Sequence, residues 1–391
     1  MLFPGAASIL LLFALNNNSP SGRPKTQQTK YNELLTWLDT STSTTQTNTK
    51  PKVSIELSQI QGGYGAILNT DVVEDELIFC VPRTLCITLD DAILDKDCGK
   101  TFLDLMGKAG PGGNTVVMAG YIAKEYLLMQ ERANNAKELQ EKGVDIDLSG
   151  RYDPYLEILP WERGMNGQEH VLFWEDAKVD KFLKNTMCYD ETVALRAEVN
   201  LAIKVLDGII GPSIRKARGE TKFGWLAWEK LTASGPPSEF VEGLPEAVKG
   251  AFVSLLTRSF QDSSEDCLDP TADTNDTGTS DEDKDETDDD DDDDDDAEKL
   301  VPLLDMLQHS ISPNVKHAMR LSDGMVEVRA RTDLKAGTEL LNQYRSEEEE
   351  GTMPKHRFFS RFGFVPGIRM EELPDLMEDK TSFFYPQRAE V

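Results

Sequence analysis

Residues 300–314 read LVPLLDMLQHSISPN. Six apolar side chains, Leu300, Val301, Leu303, Leu304, Met306 and Leu307, stand close together and give way at once to Gln308, His309 and Ser310. His309 is one of only four histidines in 391 residues, and the segment begins just after nine consecutive aspartates at 288–296. So apolar a stretch ends by delivering an amide and an imidazole to a single point, and the rest of the chain has to explain why.

The acidic run is the first neighbour to account for. Residues 262–298 hold 21 Asp and Glu against one Lys, so this stretch supplies -20 of the net charge of -29 and leaves an unremarkable -9 for the rest. It has too little apolar surface to offset its ordering entropy and reads as a disordered insert, either merely solvated or attractive to a basic partner such as a lysine-rich tail. The hydrophobic fraction of 39% allows a sizeable core in one large or two ordinary domains. The five cysteines are scattered, odd in number and without CxxC spacing, which argues against a zinc site or a disulfide framework. A basic stripe able to neutralise phosphates is missing, so nucleic-acid binding is not expected. The opening MLFPGAASILLLFAL is too short for a typical membrane span. Residues 1–30 read either as a removable targeting segment, secretory or plastid-like, or as a buried or frayed terminus. Without such an address the compartment would be cytoplasmic or nuclear.

Outward from the quoted stretch, periodicity divides the chain into strands, a helical block and strands again. YNELLTWL at 31–38 is a short amphipathic helix, and the Ser/Thr-rich stretch after it is a loop. VSIEL, GAILNT and ELIFCVP read as short strands. A helical pattern occupies about 115–140, with further helices near 174–186, 190–210 and 245–260, and YDPYLEILPWE between them reads as an extended connection. Beyond the acidic insert, MVEVRART and TELLNQY are strands joined by the turn DLKAG.

Taken singly, the candidate motifs are weak. GGYG at 62–65 is a turn in which glycine permits close backbone approach. Tyr344 ends a strand, and His309 lacks a second His or Cys at ligand spacing, so each is ordinarily a packed residue. Their order is more specific. A Gly-x-Gly turn entering AILNTDVVEDELIFCVP, the helix end LLTRSF, LVPLLDMLQHS, DLKAGTELLNQY and finally RFGFVPG form a series that resembles the SET-domain protein methyltransferases. More narrowly it is similar to the Rubisco large-subunit lysine methyltransferase class, whose SET fold is split by a helical insertion. DPYLEILP and FWEDAKVDKFLKN resemble that insertion.

The resemblance implies an α+β fold with short sheets around a pseudoknot, a crossing that folds ordinarily avoid. It divides the chain into SET halves at 31–110 and 251–366, an insertion at 111–250 and a short tail at 367–391. The apolar segment would thread the core and bring its polar end to S-adenosylmethionine. Gly63, Tyr64 and Gly65 would offer backbone groups to that cofactor. Gln308 and His309 would meet the adenine edge with Asp305 nearby, and Arg258 would border the pocket. Tyr344 would be the active-site tyrosine, in contact with both cofactor and acceptor, and Phe364 would wall a lysine channel. No metal is implied.

Departures from the family pattern are Gln308 in place of Asn, Arg345 in place of Gly, and only about 25 residues after FGFVPG where that class has a large helical substrate-binding domain. The expected activity is methyl transfer to a lysine of a non-histone protein by a monomer with no membrane span, its protein substrate being basic if the acidic insert recruits it. Two alternatives stay open: a catalytically weak SET-like binding module, and transfer to histidine as in the related actin-histidine methyltransferase.

Overall fold

The computed structural model describes residues 25–43, 50–58, 63–110, 112–143, 148–165, 168–219, 240–260, 267–268, 298–320, 322–344, 353–368 and 372–385. The expected targeting segment as far as residue 24, nearly all of the acidic insert, and Arg345 with the loop to 352 lie outside the described residues.

The first helix, α1 (Gln27–Ser43), runs past 31–38 in both directions and takes in part of the stretch expected to be loop. Its threonines explain the difference. The hydroxyls of Thr36, Thr40 and Thr42 donate to the carbonyls of Asn32, Thr36 and Leu38, four residues back, so these side chains are satisfied inside the helix. Tyr31, Leu34 and Leu38 meanwhile bury one face. Next, β1 (Val53–Leu57) and β2 (Tyr64–Leu68) form an antiparallel pair that sets Leu57 opposite Tyr64. Strand β3 (Leu77–Val81) follows.

The helical block comprises α2 (Leu89–Ile93), α3 (Gly99–Ala109), α4 (Gly113–Glu141), α5 (Asp153–Leu156), α6 (Asp176–Leu183), α7 (Cys188–Ala217) and α8 (Leu244–Arg258). Helix α5 corrects the extended reading of YDPYLEILPWE. Pro154 lies in its first turn, where a missing N–H costs no helical bond, and the N–H of Gly150 donates to Asp153 Oδ2 at 2.7 Å. The first half of α4 is buried on several sides through Val117, Met118, Tyr121, Ile122 and Leu127, and packs against α7 and α8.

After α8 come β4 (Ser259–Phe260), β5 (Cys267–Leu268), β6 (Lys299–Leu300), β7 (Gln308–His309), β8 (Val315–Arg320), β9 (Met325–Ala330) and β10 (Leu341–Asn342), then α9 (Lys355–Phe362) and α10 (Leu373–Glu378). The largest sheet has the order β3-β9-β8-β5, with β8 and β5 parallel and the other neighbours antiparallel. The expected strand TELLNQY is regular only at Leu341–Asn342, because this stretch changes partners partway along.

The apolar segment is core. Leu300, Val301, Leu303, Leu304, Met306 and Leu307 are all buried, and Leu300 is held between Ser259 of β4 and a two-way backbone pairing with Ile87. One continuous cluster joins residues of both sequence halves and the helical block. A second, built from Val171, Trp174, Val179, Leu183, Cys188, Phe359, Val365, Leu373, Met377 and Phe384, lies under α9 and takes in α10. Among the described residues no helix is long and apolar enough to cross a membrane.

Candidate active site

The stretch 338–342 stitches the glycine turn to the end of the apolar segment. Leu68 N–H donates to the Thr338 carbonyl at 2.9 Å and Leu340 N–H to the Ala66 carbonyl at 2.8 Å. One residue later the chain has changed partner: Leu341 and Asn342 of β10 run parallel to Gln308 and His309 of β7. The pairing continues as Ser310 N–H donates to the Asn342 carbonyl at 2.9 Å. Asn314 locks the exchange, its Nδ2 donating to the Glu339 carbonyl and its Oδ1 accepting from Leu341 N–H, both at 2.8 Å. Sequence reasoning passed over Asn314 although it stands in the opening stretch, since one asparagine after a proline reads as an ordinary turn residue.

The Gly63-Tyr64-Gly65 turn is shaped for close approach. Gly63 has φ of 75°, a conformation that favours glycine. A Cβ on Gly65 would overlap the Glu339 carboxylate and lie 3.5 Å from Gln308 Cγ. Gln308 Nε2 donates to the Tyr64 carbonyl at 2.8 Å, so its longer side chain ties β7 to the turn. The Tyr64 ring packs on Tyr31 of α1 with centroids 4.7 Å apart.

Between the apolar run and Gln308, Leu303 adopts φ of 72° although it is fully buried. Such a conformation costs a side-chain-bearing residue on the order of 1–3 kcal/mol and persists only where the surroundings fix it. The tight turn Leu304–Met306 that follows presents Asp305 to two partners. Asp305 Oδ2 accepts from Arg258 of α8 and from the Tyr155 hydroxyl of α5, both at 3.0 Å. Burial pushes the Asp305 carboxyl up, and Arg258 opposes that shift. Asp305 and Arg258 therefore fasten the apolar segment to the helical block, and both lie close enough to Tyr344 to act on its hydroxyl electrostatically.

At the polar end a ring cluster gathers. His309 lies 5.1 Å from Tyr344, 6.0 Å from Phe358 and 6.2 Å from Phe364, centroid to centroid. Phe362 closes the group at 6.2 Å from Tyr344, 5.4 Å from Phe358 and 6.1 Å from Phe364. Phe358 and Phe362 were missed in the sequence. Their signal was available as four phenylalanines within RFFSRFGF, two of them spaced i,i+4 on one helix face.

The polar members are held neutral. Burial lowers the His309 imidazole to about 4, and its Nδ1 accepts the Tyr344 N–H at 3.4 Å, which leaves the ring proton on Nε2. The Tyr344 hydroxyl, pushed up to about 12 by burial, donates to the Leu307 carbonyl at 2.9 Å. Its oxygen retains lone pairs to accept a further proton donor. Among the described residues no cluster of three or more His, Cys, Asp or Glu could hold a metal ion.

A strand-built crossing beside a glycine turn, closed by a tyrosine and a helical phenylalanine face, agrees with the comparisons. The SET domain family model matches residues 63–345, more than half of the chain, and the chain belongs to the SET domain family. Among solved structures it is similar to Rubisco LSMT bound to AdoMet, at 15% identity over 86% of this chain and 57% of that one, with a TM-score of 0.51. It is also similar to the SET domain of LSMT bound to lysine and AdoHcy, at 14% identity, 87% and 58% coverage and a TM-score of 0.52. The LSMT SET domain with methyllysine and AdoHcy gives 14% identity, 87% and 57% coverage and a TM-score of 0.53. At these identities the likeness is one of fold, and the chain spans less than two thirds of the length of those proteins. No curated protein sequence matches.

Proposed function

We propose that this chain is an S-adenosylmethionine-dependent protein methyltransferase whose acceptor is a lysine side chain of a non-histone protein. The observation that carries this reading is the cluster of His309, Tyr344, Phe358, Phe362 and Phe364 around the end of β7, which Gln308 ties to the Gly63-Tyr64-Gly65 turn. The division into SET halves at 31–110 and 251–366, an insertion at 111–250 and a tail at 367–391 goes with it.

The residues fit the cofactor. Asn342, opposite His309 in register, has a buried Nδ2 with no hydrogen-bond partner among the described residues. A buried unmet donor is costly, and a purine nitrogen or a carboxylate would satisfy it. Backbone groups at Gly63, Tyr64 and Gly65, with Gln308 and His309, would complete the contact. Asp305 and Arg258 would act behind it as a brace. When bound, S-adenosylmethionine supplies a methyl group on a positively charged sulfur.

This chain's own side chains then do three things. The four carbocyclic rings exclude water and disfavour a lysine ammonium, lowering its pKa toward the neutral amine that has a lone pair to offer. The Tyr344 oxygen, its own proton committed to Leu307, accepts an amine N–H and so points that lone pair. The neutral His309 adds a wall without adding a charge that would repel the acceptor.

A second reading, a binding module without turnover, is favoured by one feature: the Gln308 amide is already used on the Tyr64 carbonyl. Calorimetric titration with S-adenosylhomocysteine, then labelled-methyl transfer to cell-extract proteins with amino-acid analysis of the product, tests both. Methyllysine is the expected product. Methylhistidine would change the acceptor, and cofactor binding without transfer would favour the binding module. Absence of cofactor binding would remove the methyltransferase reading.

A further inference from the structure

Helix α9 carries Phe358 and Phe362, and what holds its end comes from a distant part of the chain. His170 is fully buried. Its Nδ1 accepts the Leu172 N–H at 3.2 Å and so caps the short turn Val171–Phe173. With Nδ1 accepting, the ring proton is on Nε2, which donates to the Arg361 carbonyl at 3.0 Å. That carbonyl is in the last turn of α9, where intrahelical partners run out. Burial holds the ring neutral, with its pKa lowered to about 4.

The same loop lies flat on the residue that ends the helix. Gly363 has φ of 78°, and a Cβ there would come within 2.9 Å of Gln168 Oε1 and 3.2 Å of His170 Cα. Phe362 and Phe364 flank this glycine, so its placement sets the angle between two walls of the ring cluster. On the opposite face of α9, Phe359 packs against Trp174, centroids 5.8 Å apart. Arg196 of α7 binds the loop in turn, donating to the Val171 and Trp174 carbonyls at 3.0 and 2.6 Å.

Resting on the acceptor site proposed above, we infer that His170 is a positioning residue for that site. Through the Arg361 carbonyl and the Gly363 turn it fixes Phe362 and Phe364, and with them the width of the acceptor end, while the cofactor end is built from β2, β7 and β10. The helical block thereby helps determine which amine fits.

The test separates the two nitrogens. In His170→Gln the amide nitrogen reaches the place of Nε2 and retains the donor to Arg361, whereas in His170→Asn the amide oxygen stands in for Nδ1 and that donor is lost. The probe is Nε-methyllysine, titrated with S-adenosylhomocysteine saturating. His170→Asn is expected to weaken methyllysine binding at least tenfold with S-adenosylhomocysteine affinity within about twofold, and His170→Gln to bind both as wild type does. Unchanged methyllysine binding in the Asn variant, or parallel loss of both ligands, overturns the inference. Wild type that binds S-adenosylhomocysteine but no methyllysine overturns the acceptor reading itself, and this inference with it. If His170→Asn does not fold, Gly363→Ala, which pushes the same loop off the same turn, replaces it. The same selective tenfold loss is then expected, and its absence counts against the proposal.

Discussion

Replacing Tyr344 by Phe removes one oxygen and nothing else, and that oxygen has one bond in the structure and one role in the proposed reaction. As a donor it is bonded to the Leu307 carbonyl at 2.9 Å, and Leu307 is fully buried. Leaving a buried carbonyl without this partner costs about 1–3 kcal/mol of folding free energy. As an acceptor it would orient the amine, a contribution felt mainly in the transition state. One well-placed polar group of that kind is worth about 3 kcal/mol, or roughly 10²-fold in turnover. Cofactor affinity should change little, because the glycine turn and the paired ends of β7 and β10 are untouched. Denaturant unfolding, calorimetric titration with S-adenosylhomocysteine and initial rates of methyl transfer together give the signature: modest destabilisation, intact cofactor binding, and turnover down about a hundredfold. Because burial holds the phenol near 12, the wild-type rate between pH 7 and 10 should carry no step from its ionisation. A Phe variant that loses stability yet transfers methyl groups at the wild-type rate would show that Tyr344 is only packed, and would refute the site.

Gly65→Ala drives a methyl group into the Glu339 carboxylate and against Gln308; calorimetry should show S-adenosylhomocysteine binding weakened at least tenfold, with about 1–3 kcal/mol of overpacking seen in unfolding. Asp305→Asn leaves the Arg258 guanidinium buried without its counter-charge, and urea unfolding should report a loss of about 3–5 kcal/mol. Replacing Arg258 and Asp305 together by apolar residues should cost less than the single change. His170 and His309 both fall from an ordinary 6.5 to about 4 on folding. The unfolded chain therefore takes up protons below about 6.5 that the folded chain refuses until about 4, so stability must fall as pH drops through that window, by up to about 3 kcal/mol per histidine. His170→Gln should remove about one proton's worth of that slope, and an unaltered slope would mean the ring is not buried as described.

The apolar run 300–307 and the Gly63-Tyr64-Gly65 turn were legible in the sequence because both are local signals. A hydrophobic string announces burial, and glycines between strands announce tight backbone. The order of those pieces pointed to the SET fold, and the family match over 63–345 agrees. Local chemistry also misled in places. The threonines that read as loop after Leu38 bond back into α1, and Pro154 opens a helix that was read as an extended connection.

What the tertiary structure alone decided is which distant residues meet. Asp305 reads as a neighbour of Gln308 along the chain, yet the turn at Leu303 aims it inward at Arg258 and Tyr155. Phe358 and Phe362 join the rings of His309 and Tyr344, and Phe359 between them becomes a core residue, because α9 buries its two faces against different clusters. His170 and Arg361 meet across 191 positions. Periodicity reports that a face is apolar but not what it will face. That choice belongs to long-range packing, in which the helical block, the crossing of β7 beside β10 and the end of the chain are fitted together at once.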